Sequence, residues 1–215
     1  MHARRRNAVV LLPGLWLPGL MMGMLQWRLH QAGYSVYRFG YSAVHSPVTD
    51  TVQRLHALVD GVGAQTVHFI GFSLGGLLLY HYFQKQHRVN TGVAILLGSP
   101  IRGSKSIRKA VNITFARVLL GHSLEYGLLG DLPEWPTGQS LIMIAGNRGI
   151  GVSQYLLGGL SSPNDGTVAV QETYSAEVTR HYVLPVSHSG MLFSQLICTK
   201  IVQELQNTNS SRTSQ

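Results

Sequence analysis

Six short apolar runs, separated by longer stretches with helical spacing or by loops, constrain the fold of this chain more than any other feature. The runs cover residues 8–12, 35–39, 66–70, 93–97, 141–145 and 180–184. Most are continuous rather than alternating, which is the pattern of strands covered on both faces. Helical patterns occupy residues 21–31, 48–62, 74–86 and 190–206. In the third of these, Leu74, Leu77, Leu78 and Phe83 recur near helical spacing and offer one face to a sheet. Strands and helices in alternation predict an α/β fold with a mainly parallel sheet of about six strands and helices on both faces.

At 215 residues the chain suits one domain, expected over residues 1–207. Residues 100–138 are too long for a simple crossover and are expected to form a small cap insertion. Residues 146–167 are rich in Gly, Ser and Asn and predict a long functional loop. Residues 208–215 are polar and read as a flexible tail. Hydrophobic residues make up 45% and charged residues 12%, a balance that excludes a disordered chain. The formal net charge of +8 directs attention to an anionic partner. No nucleic-acid-binding motif accompanies the basic residues, so nucleic acid is set aside as a partner. The single cysteine, Cys198, excludes an internal disulfide, and no Cys/His spacing suggests a metal site.

The N-terminus imitates a leader or an anchor, with basic residues 1–6 and an almost unbroken apolar stretch over 8–25. The pairs Pro13-Gly14 and Pro18-Gly19 interrupt a spanning helix, and no small-x-small cleavage site follows. The expectation is therefore a retained, buried first strand, with membrane insertion as the alternative. The expected location is cytoplasmic, with peripheral membrane association left open.

Chemistry enters at Gly71-Phe72-Ser73-Leu74-Gly75, where the third apolar run ends and a helical pattern begins. A G-x-S-x-G at such a junction reads as a nucleophile elbow, a bend that holds a serine hydroxyl out of the turn. With 24 glycines in the chain the pentapeptide is a weak signal alone, and its bland alternative is a glycine-rich turn around a buried serine. Its glycines have a physical task, because a side chain there would collide as strand and helix converge.

A serine hydroxyl needs a base, and the base needs an orienting acid. Where an elbow of this kind is used, acid and histidine follow the serine in that order. His188 lies just past the sixth run, in Val186-Ser187-His188-Ser189-Gly190, whereas His181 falls within a predicted strand. Three carboxylates lie between the fifth run and His188: Asp165, Glu172 and Glu177. Asp165 sits in Asn164-Asp165-Gly166, a turn that can present a carboxylate at a loop tip. Glu172 and Glu177 lie in more regular or exposed-looking sequence. Developing oxyanion charge requires donors, for which the backbone N–H groups of Leu74 and Leu15 are the candidates, with Trp16 second to Leu15. Trp16 and Phe72 are candidate substrate-binding side chains, and plain core packing is nearly as good an account of the apolar wall.

The order Pro13-Gly14-Leu15, Gly71-Phe72-Ser73-Leu74-Gly75, Leu97-Gly98-Ser99-Pro100, Asn164-Asp165-Gly166-Thr167-Val168 and Ser187-His188-Ser189-Gly190 resembles the lipase/esterase branch of the α/β-hydrolase superfamily. It looks most like small bacterial lipase-like proteins, over roughly residues 8–206. The resemblance implies an α/β-hydrolase fold, hydrolysis of a small-molecule or lipid ester through Ser73, His188 and Asp165, and no cofactor or metal. Two residues depart from the family pattern: Pro13 replaces a histidine before the oxyanion loop, and Ile101 replaces one after the Ser-Pro pair. Thioesterase, amidase or acyltransferase chemistry remains compatible with the same residues, as does a non-catalytic protein of this fold that binds a lipid or partner.

Within the cap insertion, Ile107, Val111, Phe115, Val118 and Leu119 recur at helical spacing over residues 104–120. Arg102, Lys105, Arg108 and Lys109 cluster alongside, predicting one basic amphipathic helix. Such a helix serves either as a peripheral contact for an anionic membrane or as a solvated face over a packed core. Met21, Met22 and Met24 read as packing residues. Gly146-Asn147-Arg148-Gly149-Ile150-Gly151 lacks the spacing of a dinucleotide loop and reads as a flexible segment near the acid.

Overall fold

The computed structural model describes residues 7–17, 19–84, 91–149 and 160–213. Residues 85–86 of the expected third helix, 150–159 of the expected long loop, and 1–6 and 214–215 at the ends lie outside the described residues. Strands β1 (Asn7–Leu12), β2 (Ser35–Arg38), β3 (Thr66–Phe72), β4 (Thr91–Leu97), β5 (Leu141–Gly146) and β6 (Arg180–Leu184) form one sheet in the order β2-β1-β3-β4-β5-β6. Every neighbouring pair is parallel. The helices are α1 (Gly23–Gln31), α2 (Val48–Asp60), α3 (Leu74–Phe83), α4 (Lys105–Ala110), α5 (Thr114–Leu120) and α6 (Gln195–Thr213).

Burial on two faces accounts for the continuous apolar runs. In β1, Ala8, Val10 and Leu12 join a core with Val52, Leu55 and Val59 of α2 and Leu74, Leu77 and Leu78 of α3. The alternate residues Val9 and Leu11 join a second core with Leu25 and Leu29 of α1 and Ile197, Ile201 and Leu205 of α6. The period of two along a strand therefore distributes one apolar run between two helical layers. The edge strands β2 and β6 are less buried, as strands with one unpaired side should be. The apolar stretch after the N-terminus is thus a central strand, its connecting loop and the first turns of α1. Among the described residues no helix is long and apolar enough to cross a membrane.

Several boundaries differ from the sequence expectation. β3 extends through Gly71 and Phe72 because both still pair with β4, opposite Leu96 and Leu97. α1 is preceded by a 3₁₀ turn, Gly19–Met22. The region from Gly190 begins as a 3₁₀ turn (Ser189–Leu192), and α6 starts only at Gln195. Ser194 precedes it, its hydroxyl accepting from the Ile197 N–H at 3.4 Å. α6 then continues to Thr213, into the residues read as a tail.

The insertion departs further. Residues 104–120 form two helices rather than one, with α4 capped by the Ser104 side chain and ending at Ala110. The break falls on Val111, Asn112 and Ile113, all weak helix formers, two of them β-branched. α5 also turns its apolar residues outward: Phe115 and Val118 are each 71% exposed, and Leu119 is exposed beside them. The basic cluster is not a free face. The Arg108 guanidinium donates to the Arg102 carbonyl at 2.9 Å, and the Lys105 ammonium to the Ser161 hydroxyl at 3.3 Å.

Candidate active site

The strand order reverses beside β1: the chain moves outward to β2, then returns to place β3 on the other side. Open α/β sheets bind ligands at such a switch point, beyond the carboxyl ends of the strands. Here Leu12 pairs with Gly71, so the loop after β1 and the turn after β3 emerge side by side.

Ser73 occupies that turn with φ 52 and ψ −117, a conformation costly for a residue with a side chain. It is held by the Ser73 N–H donating to the Leu97 carbonyl at 2.8 Å and by the Gly76 N–H donating to the Ser73 carbonyl at 3.0 Å. Close approach accounts for the flanking glycines. A Cβ on Gly71 would lie 2.5 Å from the Gly76 backbone, and one on Gly75 only 2.3 Å from the Leu12 carbonyl oxygen. The sharp bend and α3 following directly leave Ser73 partly exposed at the head of the helix.

Asp165 and His188 meet. His188 Nδ1 donates to Asp165 Oδ2 at 2.7 Å, and the His188 backbone N–H donates to the Asp165 carbonyl at 2.8 Å. The carboxylate is only 1% exposed, but its other oxygen accepts the N–H groups of Thr167 and Val168 at 2.9 and 2.7 Å. With these donors both oxygens of the buried carboxylate have hydrogen-bond partners. Oδ2 is thereby committed to the histidine, which fixes the Nδ1–H tautomer and leaves Nε2 as the proton acceptor.

The imidazole packs against the ring of Phe72, centroids 4.7 Å apart, next to the elbow serine. Among the described residues no hydrogen bond joins the Ser73 hydroxyl to His188, and such bonds often tighten only when substrate binds. Gly98, part of the Leu97-Gly98-Ser99-Pro100 segment but given no role from the sequence, leaves room for the pairing. It has φ +57, and a Cβ there would lie 3.1 Å from both Asp165 Oδ2 and His188 Nδ1.

The rival acids are elsewhere. Glu172 is not in exposed sequence: it is 3% exposed, and its two oxygens accept the N–H groups of Lys105 at 2.7 Å and Ala169 at 3.0 Å. It therefore clasps the start of α4 to the loop that carries Asp165. Glu177 is exposed and accepts from the Ser175 hydroxyl. His181 lies in β6, bonded to Thr173 Oγ1 and stacked on Tyr174; burial lowers its pKa.

Leu74 begins α3, and Leu15 lies in the loop after β1. Among the described residues neither backbone N–H has a hydrogen-bond acceptor. Gly14 brings the loop against the elbow, since a Cβ on it would lie 3.1 Å from Ser73 Cβ. The Leu17 N–H closes a turn onto the Gly14 carbonyl at 3.3 Å, with Trp16 at φ 54. A turn of this kind requires positive φ at its third residue and normally uses Gly there.

A cavity of about 390 Å³ opens beside this loop, lined by Leu15, Trp16, Tyr41, Val44, Val118 and Leu119 among others. Trp16 is 66% exposed at its rim. Phe72, expected to line the substrate site, is instead buried beneath His188 and does not line this cavity. Phe72 is the last residue of β3 and joins the core shared with Leu25 of α1 and Ile197 of α6. A hollow of about 480 Å³ between α1 and α6 holds none of these groups. Among the described residues no cluster of three His, Cys, Asp or Glu side chains could hold a metal ion.

No protein-family model matches the sequence, and neither does any curated protein sequence. Solved structures do match in three dimensions. A Bacillus licheniformis lipase in its mature form superposes with a TM-score of 0.74 at 16% identity, over 94% of this chain and 92% of that one. An esterase from Exiguobacterium antarcticum gives 0.61 at 14% identity, over 95% and 93%. A thioesterase of prodiginine biosynthesis from Streptomyces coelicolor gives 0.58 at 12% identity, over 93% and 85%. The chain has the α/β-hydrolase fold of bacterial lipases and esterases.

Proposed function

We propose that this protein is a serine hydrolase of carboxylic esters, with Ser73 as nucleophile, His188 as general base and Asp165 as the acid that orients it. The observation that carries this reading is the 2.7 Å His188–Asp165 hydrogen bond beside a serine at φ 52. Ser73 Oγ attacks the ester carbonyl as its proton passes to His188 Nε2, and Asp165 stabilises the imidazolium through Nδ1–H. The oxyanion is received by the N–H groups of Leu15 and Leu74, which have no acceptor among the described residues. His188 then protonates the leaving alcohol. A water, deprotonated by the same nitrogen, attacks the acyl-enzyme, and the carboxylic acid leaves as Ser73 regains its proton. Each step uses only side chains and backbone of this chain.

The cavity beside the Leu15 loop, walled by Leu15, Trp16, Val44, Val118 and Leu119 with Ser42 and His45 among them, supports an ester whose acyl group is largely but not wholly apolar. The outward residues of α5, beside Trp16, support presentation of that ester at an anionic lipid surface, with Phe115 and Val118 rather than the lysines as the main contact. The likeness to a thioesterase favours thioesters as a second substrate class, since one acyl-enzyme route serves both.

Labelling with a fluorophosphonate, with Ser73→Ala as control, tests the nucleophile. Turnover of p-nitrophenyl esters and acyl-thioesters of increasing chain length then ranks the substrates. A protein that neither labels at Ser73 nor turns over any of them is a binding protein built on a hydrolase fold.

A further inference from the structure

The loop after β1 has to hold a bare N–H aimed at Ser73, yet its first residue, Pro13, has no N–H with which to be anchored. Its carbonyl does the anchoring. The Tyr41 hydroxyl, from the segment after β2, donates to the Pro13 oxygen at 2.8 Å. That oxygen also faces the nucleophile helix: a Cβ on Gly75 would lie 2.7 Å from it. The Pro13 carbonyl is therefore confined between a phenol on one side and the first turn of α3 on the other.

Tyr41 is itself clamped. Its ring stacks between Phe39 and Tyr126, with centroids 5.6 and 6.0 Å away and planes within 20° and 19°. Phe39 is tied to β1 by its N–H donating to the Leu11 carbonyl at 2.9 Å. Tyr126, brought in by the cap insertion and fully buried, donates to the Ser46 carbonyl at 3.0 Å and bonds Thr51 Oγ1 at 2.7 Å. Desolvation, with Tyr126 adding to it, pushes the Tyr41 phenol well above its ordinary pKa, so it remains a donor at any pH suited to ester hydrolysis.

Peptide planarity carries the consequence forward. Fixing the Pro13 carbonyl fixes the plane of the Pro13–Gly14 peptide, and the proline ring already fixes the φ before it. Only the dihedrals at Gly14 then remain to aim the Leu15 N–H, and the Leu17 N–H restrains them by holding the Gly14 carbonyl, which shares a peptide plane with the Leu15 N–H.

Resting on the ester-hydrolase reading above, we propose that Tyr41 is a positioning residue for the reaction: by holding the Pro13 carbonyl it aims the Leu15 N–H at the developing oxyanion. Tyr41 touches no reacting atom in this role; it acts through the loop.

Tyr41→Phe tests this, because it keeps the ring stack and deletes only the hydroxyl. Thr51→Val is the control, deleting one hydrogen bond in the next layer without touching Pro13. Each purified variant is assayed with p-nitrophenyl butyrate, with a trifluoromethyl ketone whose serine adduct places an oxyanion in the same position, and by thermal melting. For Y41F we expect kcat to fall about 10- to 100-fold, the range for a small misplacement of a reacting group. KM should stay within about twofold, and ketone affinity should weaken by the same factor as kcat/KM. T51V should melt at a lower temperature with kcat unchanged. Y41F with unaltered kcat, a loss confined to KM, or an equal kcat loss in T51V would each overturn the role. A wild-type protein without Ser73-dependent turnover would instead refute the hydrolase reading itself, and this role with it.

Discussion

Asp165→Asn changes one atom of the candidate triad, and the structure dictates how the amide must sit. In the wild type Oδ1 accepts two backbone N–H groups, from Thr167 and Val168, while Oδ2 accepts one, from His188. An asparagine has one acceptor oxygen and one donor nitrogen. Turning its NH₂ toward Thr167 and Val168 would set donor against two donors in a buried site, so the oxygen takes that side. The NH₂ then faces His188 Nδ1, which must become an acceptor. That traps the imidazole with its proton on Nε2, the nitrogen that has to take the proton of Ser73.

The expected loss in kcat is about 10⁴-fold, the size seen when a triad histidine is held in the wrong tautomer, or about 5 kcal/mol of barrier. Two charge-assisted hydrogen bonds also become neutral ones, costing about 2 kcal/mol together. For a chain of this length that lowers the melting temperature by about 4–8 °C, leaving a folded protein at room temperature. The assay is steady-state hydrolysis of p-nitrophenyl butyrate, with the rate of fluorophosphonate labelling in parallel. A folded D165N protein retaining more than about a tenth of wild-type kcat would refute the assignment of Asp165 as the orienting acid.

Gly75→Ala places a Cβ 2.3 Å from the Leu12 carbonyl oxygen, where neither strand nor helix backbone can yield cheaply. It should abolish Ser73 labelling and lower thermal stability by several kcal/mol, of the order of severe overpacking, read by melting and labelling together. Glu172→Gln leaves one of two buried N–H groups facing an amide NH₂, costing about 1–3 kcal/mol. The expected result is a lower melting temperature with Ser73 still reactive; unchanged stability would remove Glu172 as the clasp between α4 and the Asp165 loop. Phe115→Asp with Val118→Asp should reduce sedimentation with anionic vesicles more than Lys105→Glu with Lys109→Glu does. The reverse order would return the contact to the basic residues.

The sheet was legible because β1, β3, β4 and β5 are buried on both faces, and a strand with one wet face would have to alternate polar with apolar residues. The elbow was legible because convergence of strand and helix leaves glycine as the only tolerable residue at Gly71 and Gly75. Asp165 could be separated from Glu172 only by a turn signal. Glu172 looks exposed in sequence, yet it is buried because its oxygens meet two backbone donors, one of them 67 positions away. The insertion was read least well: periodicity over residues 104–120 said that one face was apolar, but not that Val111 to Ile113 would break the helix. Nor could it say that the apolar side of the second half would face outward. Tyr41 carried no local signal and Gly98 only its place in a motif, since what each does depends on a partner far along the chain.

The pairing of Leu12 with Gly71 has a consequence for how the proposed site comes apart. Leu15, the proposed donor, lies three residues beyond one of these partners and Ser73, the proposed nucleophile, two beyond the other, so their separation is a property of the ladder between β1 and β3. A slip of one residue would move the strands by about 3.3 Å and turn each side chain to the opposite layer. No partly slipped sheet can keep donor and nucleophile together. On heating, then, titratable serine should disappear in step with the unfolding of the central strands rather than ahead of it. The fraction of Ser73 that still labels becomes a count of molecules whose innermost strand pair is intact.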